Sequence, residues 1–223
     1  MNPILNATVL FFVFRAIFKF KSLGEVDFFP YVYSGVLLLS YITRAIVEGS
    51  EQLHNFSDVL RRINIPAEVF VISKVLVNLA NFFLGLIPLV FYYIFTGHSV
   101  GLQILWLPLI LFSVTLTASS IAIFLSVLYV FFRDLQHLIP IAMNIVFYVS
   151  PVFYSLEMIG GNTQKLIHLN PINGYLDSIR NSLSIDSQLN LMHLSISYFF
   201  GITLFLAALR FIENNRMKAV FVT

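Results

Sequence analysis

The chain of 223 residues is strongly apolar: 58% of its residues are hydrophobic, 16% are aromatic and only 11% are charged. A soluble domain carries about 25% charged residues, so this composition excludes a soluble globular protein and predicts an integral membrane protein. The formal net charge is +2, and the 13 Lys and Arg residues are scattered between apolar runs and form no basic face. This argues against nucleic acid as a partner. The absence of cysteine from the sequence excludes disulfides, thiolate metal sites and cysteine catalysis.

Six apolar runs predict six membrane spans, because a spanning helix needs about 20 mostly apolar residues. In chain order the predicted spans are residues 3–18, 28–47, 69–95, 103–131, 138–154 and 193–212. Pro151 is expected to kink or end the fifth span, and residues 213–223 form a polar-then-apolar tail. The predicted fold class is all-α: residues 1–223 form a single transmembrane domain of six helices.

The polar stretch between the second and third spans predicts a short amphipathic helix. Its apolar residues recur at helical spacing and its polar residues take the other face: Phe56, Val59, Leu60 and Ile63 against Ser57, Asp58, Arg61 and Arg62. Pro66 then stops or restarts the helix. Such a helix lies at a membrane interface or docks on a partner.

The long segment between the fifth and sixth spans is too mixed in character for a span. Residues 166–183 contain helical patches, which the pairs Asn170-Pro171 and Asn173-Gly174 are expected to break. We therefore predict short re-entrant or interfacial helices that pack on protein. Asp177 and Arg180 stand one helical turn apart and are interpreted as a surface ion pair.

Basic residues favour a cytoplasmic N-terminus. With that orientation the inner side receives eight, namely Arg44, Arg61, Arg62, Lys74, Arg133, Arg210, Arg216 and Lys218. The outer side receives five, namely Arg15, Lys19, Lys21, Lys165 and Arg180. A stripe of small residues in the fourth span (Thr115, Ser119, Ala122 and Ser126) predicts the close approach of another helix, with polar substrate contact as the alternative.

Residues that could carry chemistry are scarce, and none is predicted to be catalytic, cofactor-binding or metal-binding. The chain has no Gly-Lys pair and therefore no phosphate loop. Asp134 and His137 could pair as a proton relay or metal fragment, but a helix-capping pair is favoured. The central thirds of spans two to six hold no charged residue, so ion-coupled transport lacks its usual machinery. If the chain moves a substrate, something else must supply the energy.

Aromatic residues cluster at the predicted outer ends of two spans. The first cluster is Phe28, Phe29, Tyr31 and Tyr33, and the second is Phe147, Tyr148, Phe153 and Tyr154. An interfacial aromatic belt explains both clusters. A platform for sugar rings is the functional alternative.

Four motifs in register resemble the membrane subunit of ABC-2 transporters, and within that class the exporters of lipid-linked O-antigen, capsule and teichoic-acid polymers. They are Phe132-Arg133-Asp134-Leu135, Val149-Ser150-Pro151-Val152-Phe153-Tyr154, Leu169-Asn170-Pro171 with Arg180, and the segment from Phe56 to Pro66. Members of this family usually carry an amphipathic N-terminal helix before an aromatic- and proline-containing start to span one. Met1-Asn2-Pro3 stands at that start. A truncated chain, a misassigned start and a variant without this helix are the alternatives, and ATPase docking through such a helix stays open.

The resemblance implies a permease in the bacterial cytoplasmic membrane that pairs with a second copy and with a separate ATP-binding subunit. ATP would then be bound by the partner, and no cofactor by this chain. ATPase coupling is expected at Phe56, Ser57, Asp58, Leu60, Arg61, Arg62, Ile65, Pro66, Arg133 and Asp134. A substrate pathway is expected along Phe28, Phe29, Tyr31, Tyr33, Tyr148, Phe153 and Tyr154, and residues 157–183 would cap the exit. Two alternatives stay open, an ABC-2 exporter of a drug, antibiotic or small lipid, and a membrane-embedded lipid-processing enzyme.

Overall fold

The computed structural model describes residues 28–62, 65–97, 101–152, 171–183 and 191–221. These residues are helical apart from short turns. In chain order the helices are α1 (Phe28–Ser50), α2 (Gln52–Asn55), α3 (Ser57–Arg62), α4 (Glu68–Thr96), the 3₁₀-helix η1 (Leu102–Trp106), α5 (Leu107–Phe131), α6 (Leu135–Val149), α7 (Pro171–Leu183) and α8 (Leu191–Phe221). The all-α prediction is confirmed for this part of the chain.

Four helical segments of the described residues are long and apolar enough to cross a membrane. They are Phe29–Asn55, Glu68–Thr96, Leu102–Phe131 and Ser195–Asn215, and they correspond to predicted spans two, three, four and six. Predicted span one lies outside the described residues. Predicted span five is the shorter apolar helix α6, so the number of six spans stays a prediction.

Helices α6, α7 and α8 differ from the sequence prediction in extent or continuity. Helix α6 has 15 residues and ends at Val149 rather than continuing to residue 154, because Pro151 has no N–H with which to extend the ladder. Helix α8 runs to Phe221, so the predicted tail is helical as far as that residue. Helix α7 continues through Asn173-Gly174, since buried contacts outweigh the local preference of that pair for a turn.

The chain divides into two compact units. Unit 1 contains residues 1–40, 81–110 and 147–194, and unit 2 contains residues 41–80, 111–146 and 195–223. Helix α7 belongs to unit 1, and helices α2 and α3 belong to unit 2. Gly97, which follows α4 in unit 1, has a φ of 69°, a left-handed backbone that glycine adopts without steric cost.

Small residues bring helices close together in unit 2. A Cβ built on Gly49 would lie 2.9 Å from the Cβ of Ala122, and one built on Gly201 would lie 3.0 Å from Oγ1 of Thr117. Helix α5 takes part in both contacts: its partner is α1 in the first and α8 in the second. The predicted role of Ala122 in close helix approach is therefore confirmed, and Thr117 adds a position outside the predicted stripe.

Candidate functional site

The segment from Gln52 to Pro66, hereafter the coupling segment, contains the predicted amphipathic helix. Leu53 and Leu60 are buried, whereas Asp58, Arg61 and Arg62 are exposed. A short amphipathic helix is therefore confirmed at Ser57–Arg62, followed after residues 63 and 64, which lie outside the described part, by a half-buried Ile65 and an exposed Pro66. Its charged face is presented outward from the protein.

Aromatic stacking joins the coupling segment to α4. Phe56 separates α2 from α3 and stacks on Phe70, with 5.2 Å between the ring centroids and 27° between the ring planes. Phe56 nevertheless keeps 39% of its surface exposed. Pro66 contributes to the other end of the segment, where its carbonyl accepts a hydrogen bond of 3.2 Å from the backbone N–H of Val69.

An ion pair joins the two helices that flank the coupling segment. Nζ of Lys74 in α4 lies 3.1 Å from Oε2 of Glu48 in α1. Nδ2 of the buried Asn78 donates to the same carboxylate oxygen at 3.1 Å and to the Lys74 carbonyl at 3.2 Å. The two ends of the chain from Glu48 to Lys74 are therefore held together.

A second set of contacts joins the coupling segment to the turn between α5 and α6. The His54 ring lies 5.7 Å from the ring of the buried Tyr129, measured between centroids. The Tyr129 hydroxyl is 3.5 Å from Oε1 of Gln136, whose amide nitrogen is 3.0 Å from Nε2 of His137. Arg133 and Asp134 are exposed in the same turn. The structure therefore brings both predicted coupling regions into one connected part of unit 2.

The predicted aromatic cluster of α1 lies in unit 1 and is largely occupied by contacts within the chain. Phe29 stacks on Tyr33 with centroids 5.3 Å apart, and it contacts Tyr92 of α4 at 4.8 Å. Tyr33 is only 4% exposed, and its hydroxyl donates to the Gly85 carbonyl at 2.5 Å. Tyr33 is therefore a packing residue of this chain, while Phe29 is half-buried.

The described members of the second aromatic cluster, Phe147 and Tyr148, lie at the end of α6. Tyr148 is 77% exposed and meets Phe147 edge to face, with centroids 5.8 Å apart. Phe28 is the first residue of α1. Phe153 and Tyr154 lie outside the described residues, so their place in a substrate pathway stays a prediction.

Arg180 in α7 is buried, with 7% of its surface exposed. Its Nη2 donates to the carbonyls of Pro151 and Val152 at 2.9 and 3.2 Å, and its Nη1 donates to the Tyr31 hydroxyl at 3.0 Å. The guanidinium carbon also lies 3.6 Å from the centroid of the Tyr31 ring, a cation–π geometry. The prediction of a surface ion pair is therefore wrong for Arg180. Its Nη1 is 4.0 Å from Oδ1 of Asp177, and the Asp177 side chain is 51% exposed.

The electrostatics of Arg180 follow from this environment. Burial lowers the pKa of the guanidinium from its usual range, while Tyr31 and Asp177 oppose that shift. An arginine nevertheless stays protonated in proteins. A permanent positive charge is therefore held inside unit 1, mainly by carbonyl and tyrosine oxygens.

Sequence reasoning missed several residues of these sites. His54, Tyr129 and Gln136 form the connection between the coupling regions, and Tyr92 packs on the α1 aromatics. Each belongs to a contact between helices, which periodicity within one helix does not reveal. For Arg180 the signal was present in its motif, but the spacing to Asp177 indicated an exposed pair.

The described residues contain no group of three His, Asp or Glu side chains that could hold a metal ion. Asp134 immediately precedes α6, and its carbonyl accepts the backbone N–H of His137 at 3.1 Å. Both side chains are exposed. The capping role of this pair stays a prediction.

Comparisons with known proteins find similarity to membrane transport proteins. The chain is 25% identical over 222 residues to "O-antigen export system permease protein RfbA" of Klebsiella pneumoniae, covering 99% of this chain and 83% of that protein. It is 27% identical over 179 residues to a protein of the same name from Myxococcus xanthus, covering 77% and 66%. The family model described as ABC-2 type transporter matches residues 1–183. Since that match covers most of the chain, the chain belongs to the ABC-2 type transporter family.

Proposed function

We propose that the chain is the permease subunit of an ATP-driven exporter that moves a lipid-linked polysaccharide of the O-antigen type across the bacterial cytoplasmic membrane. The observation that carries this proposal is the similarity to O-antigen export permeases over nearly the whole chain. As an ABC-2 membrane subunit it relies on a separate subunit for ATP binding and hydrolysis. Two copies of the chain line one pathway in this proposal, with two ATP-binding subunits on the cytoplasmic side.

The coupling segment is the proposed contact with the ATP-binding subunit. Its exposed Asp58, Arg61 and Arg62 supply charge for docking, while the buried Leu53 and Leu60 hold it to unit 2. The ion pair of Glu48 with Lys74 links its two ends. Movement of the ATP-binding subunit would therefore reach α1 and α4 together, and Arg133 and Asp134 provide a second contact.

Exposed aromatic side chains support the polysaccharide as cargo. The apolar C–H faces of sugar rings pack on aromatic rings, and Tyr148 presents most of its surface for such contact. Phe29 is more accessible than Tyr33, which is buried. In this proposal α7 belongs to the segment that caps the exit on the outer side.

Charge reversal in the coupling segment tests this function. In a strain whose own permease gene is deleted, Arg61→Glu with Arg62→Glu should reduce surface polysaccharide at least about tenfold, because the docking charges are inverted. Arg210→Glu is the matched control, since Arg210 is an exposed arginine near the predicted cytoplasmic end of the segment Ser195–Asn215 and lies outside both coupling regions. Membrane levels of each variant are measured by immunoblot.

Unchanged export by the double variant would contradict the coupling role. The cargo is tested separately by identifying what accumulates in the cytoplasm of the deletion strain. A lipid-linked polysaccharide supports the proposal. Accumulation of a small lipid or drug instead would assign this transporter to another class of cargo.

A further inference from the structure

Helix α7 carries an unusual combination of polarity and burial. It includes the buried polar residues Asn173, Ser178, Arg180 and Ser182 beside the buried Tyr175, Leu176 and Ile179. Ser178 and Ser182 satisfy their hydroxyls within the helix, by donating to the carbonyls of Gly174 and Ile179. Arg180 instead directs its donors to other elements. It is thus a polar residue through which α7 is bound to the rest of unit 1.

The guanidinium joins α7 to two other parts of unit 1 at once. One is the first turn of α1, where Tyr31 supplies a hydroxyl, a ring face and a carbonyl at 3.4 Å from Nε. The other is the turn after α6, where Pro151 and Val152 supply carbonyls. The C-terminal end of a helix carries partial negative charge, so the end of α6 also favours the cation.

Backbone packing around this residue leaves little room for it to move. A Cβ built on Gly35 would lie 3.0 Å from Nη2 of Arg180 and 3.3 Å from Cγ1 of Val152. A side chain at position 35 would therefore require the guanidinium to shift by a few tenths of an ångström. Two further contacts hold α7: the Tyr93 hydroxyl of α4 donates to the Leu183 carbonyl at 3.3 Å, and α7 also contacts η1.

We infer that Arg180 is a positioning residue that keeps α7 fixed to α1 and to the Pro151–Val152 turn throughout the export cycle, so that the exit opens without α7 leaving α1. Separation of α7 would leave a buried cation and several buried carbonyls without their partners, and each such bond to a charged group shifts an equilibrium by about tenfold or more. This inference rests on the proposed function, because it concerns a segment proposed to cap the exit.

The chain contains no cysteine, so introduced cysteines can be spin-labelled without background. We would place labels at Ser40→Cys in α1 and Asp177→Cys in α7, the second being an exposed position of that helix. Electron–electron distances are then measured in the complex with its ATP-binding subunit, in lipid nanodiscs. Nucleotide-free and ATP-trapped states are compared.

The expected result is one unchanged distance distribution in both states. Arg180→Gln should add a second, longer distance and lower export about tenfold or more, and Arg180→Lys, which keeps the charge, should restore part of both. Asp177→Asn, measured for export without labels, is the matched control, because a carboxylate that is 4.0 Å away and half exposed contributes little.

Two results would overturn the inference. One is a shift of the α1–α7 distance on ATP trapping in the otherwise unaltered chain, and the other is an Arg180→Gln variant with unaltered distances. If Arg180→Gln does not assemble, Gly35→Ala, which displaces the guanidinium by a few tenths of an ångström, takes its place in the same comparison. The distances do not depend on the cargo. A failure of the proposed function would instead appear as absent polysaccharide export by the unaltered chain.

Discussion

The close approach of α1 and α5 provides the most direct test of the packing. A methyl group added by Gly49→Ala would have its carbon 2.9 Å from the Cβ of Ala122, whereas carbon atoms in favourable contact are about 3.5–4.0 Å apart. The two helices must therefore separate by about 0.6–1.1 Å at this level. The obstacle is a Cβ atom, which cannot rotate away as the end of a long side chain can.

Overpacking of this kind costs about 1–3 kcal/mol, and the better helix propensity of alanine returns at most about 1 kcal/mol. We expect Gly49→Ala to lose about 1–2 kcal/mol of stability, which lowers the thermal midpoint by about 2–8 °C at about 2–4 °C per kcal/mol. The midpoint is measured in mild detergent from the fraction of protein that stays monodisperse on size-exclusion chromatography after heating.

The reciprocal variant makes this test specific. In Gly49→Ala with Ala122→Gly the methyl group moves from α5 to α1, where its next neighbours, Val71 and Val75, are at an ordinary 3.6 Å. The double variant should therefore be more stable than Gly49→Ala, and Ala122→Gly alone controls for the lost methyl group. A Gly49→Ala protein as stable as the unaltered chain, or a double variant no better than Gly49→Ala, would refute the close contact.

Three further predictions concern single side chains. Glu48→Lys should reduce export and thermal stability, because it sets two cations side by side. Adding Lys74→Glu should restore part of both, since the ion pair returns but the hydrogen bond from Asn78 does not, and equal defects in the single and double variants would contradict the pairing. Tyr33→Phe should cost about 1 kcal/mol of stability by removing one hydrogen bond, with export per molecule unchanged. Tyr148→Ala should leave stability within about 0.5 kcal/mol and lower polysaccharide export. Thermal midpoints and surface polysaccharide at matched protein levels distinguish the two variants, and normal export by Tyr148→Ala would exclude a substrate role for this ring.

The long helices could be predicted from hydropathy because membrane insertion selects continuous apolar runs. Predicted span three, residues 69–95, differs by one residue at each end from the helical segment Glu68–Thr96. Predicted span four, residues 103–131, begins one residue later than the helical segment Leu102–Phe131 and ends at the same residue. Hydropathy does not locate helix ends that lie in polar sequence. Helix α6 begins at Leu135, three residues before the predicted span, and α8 continues beyond its apolar part.

The sites were less predictable because their decisive contacts join distant parts of the sequence. The amphipathic pattern predicted the helix at Ser57–Arg62, since that information lies within one helix. The burial of Arg180 depends on carbonyls near residue 151 and on Tyr31, and no pattern within α7 indicates them. Likewise, the burial of Tyr33 depends on Gly85, 52 residues away.

The contacts of Arg180 also set an order for the biogenesis of unit 1. Tyr31 precedes Arg180 by 149 residues, so at a synthesis rate of about 5–20 residues per second α1 is made about 7–30 s before its arginine partner. A guanidinium is costly to place in lipid without polar partners, so α7 can be buried only after the helices that supply those oxygens are in place. Both of these elements, α1 and the turn after α6, precede α7 in the chain. Docking of α7 is therefore a late step, and it joins α7 to elements that have already been synthesised.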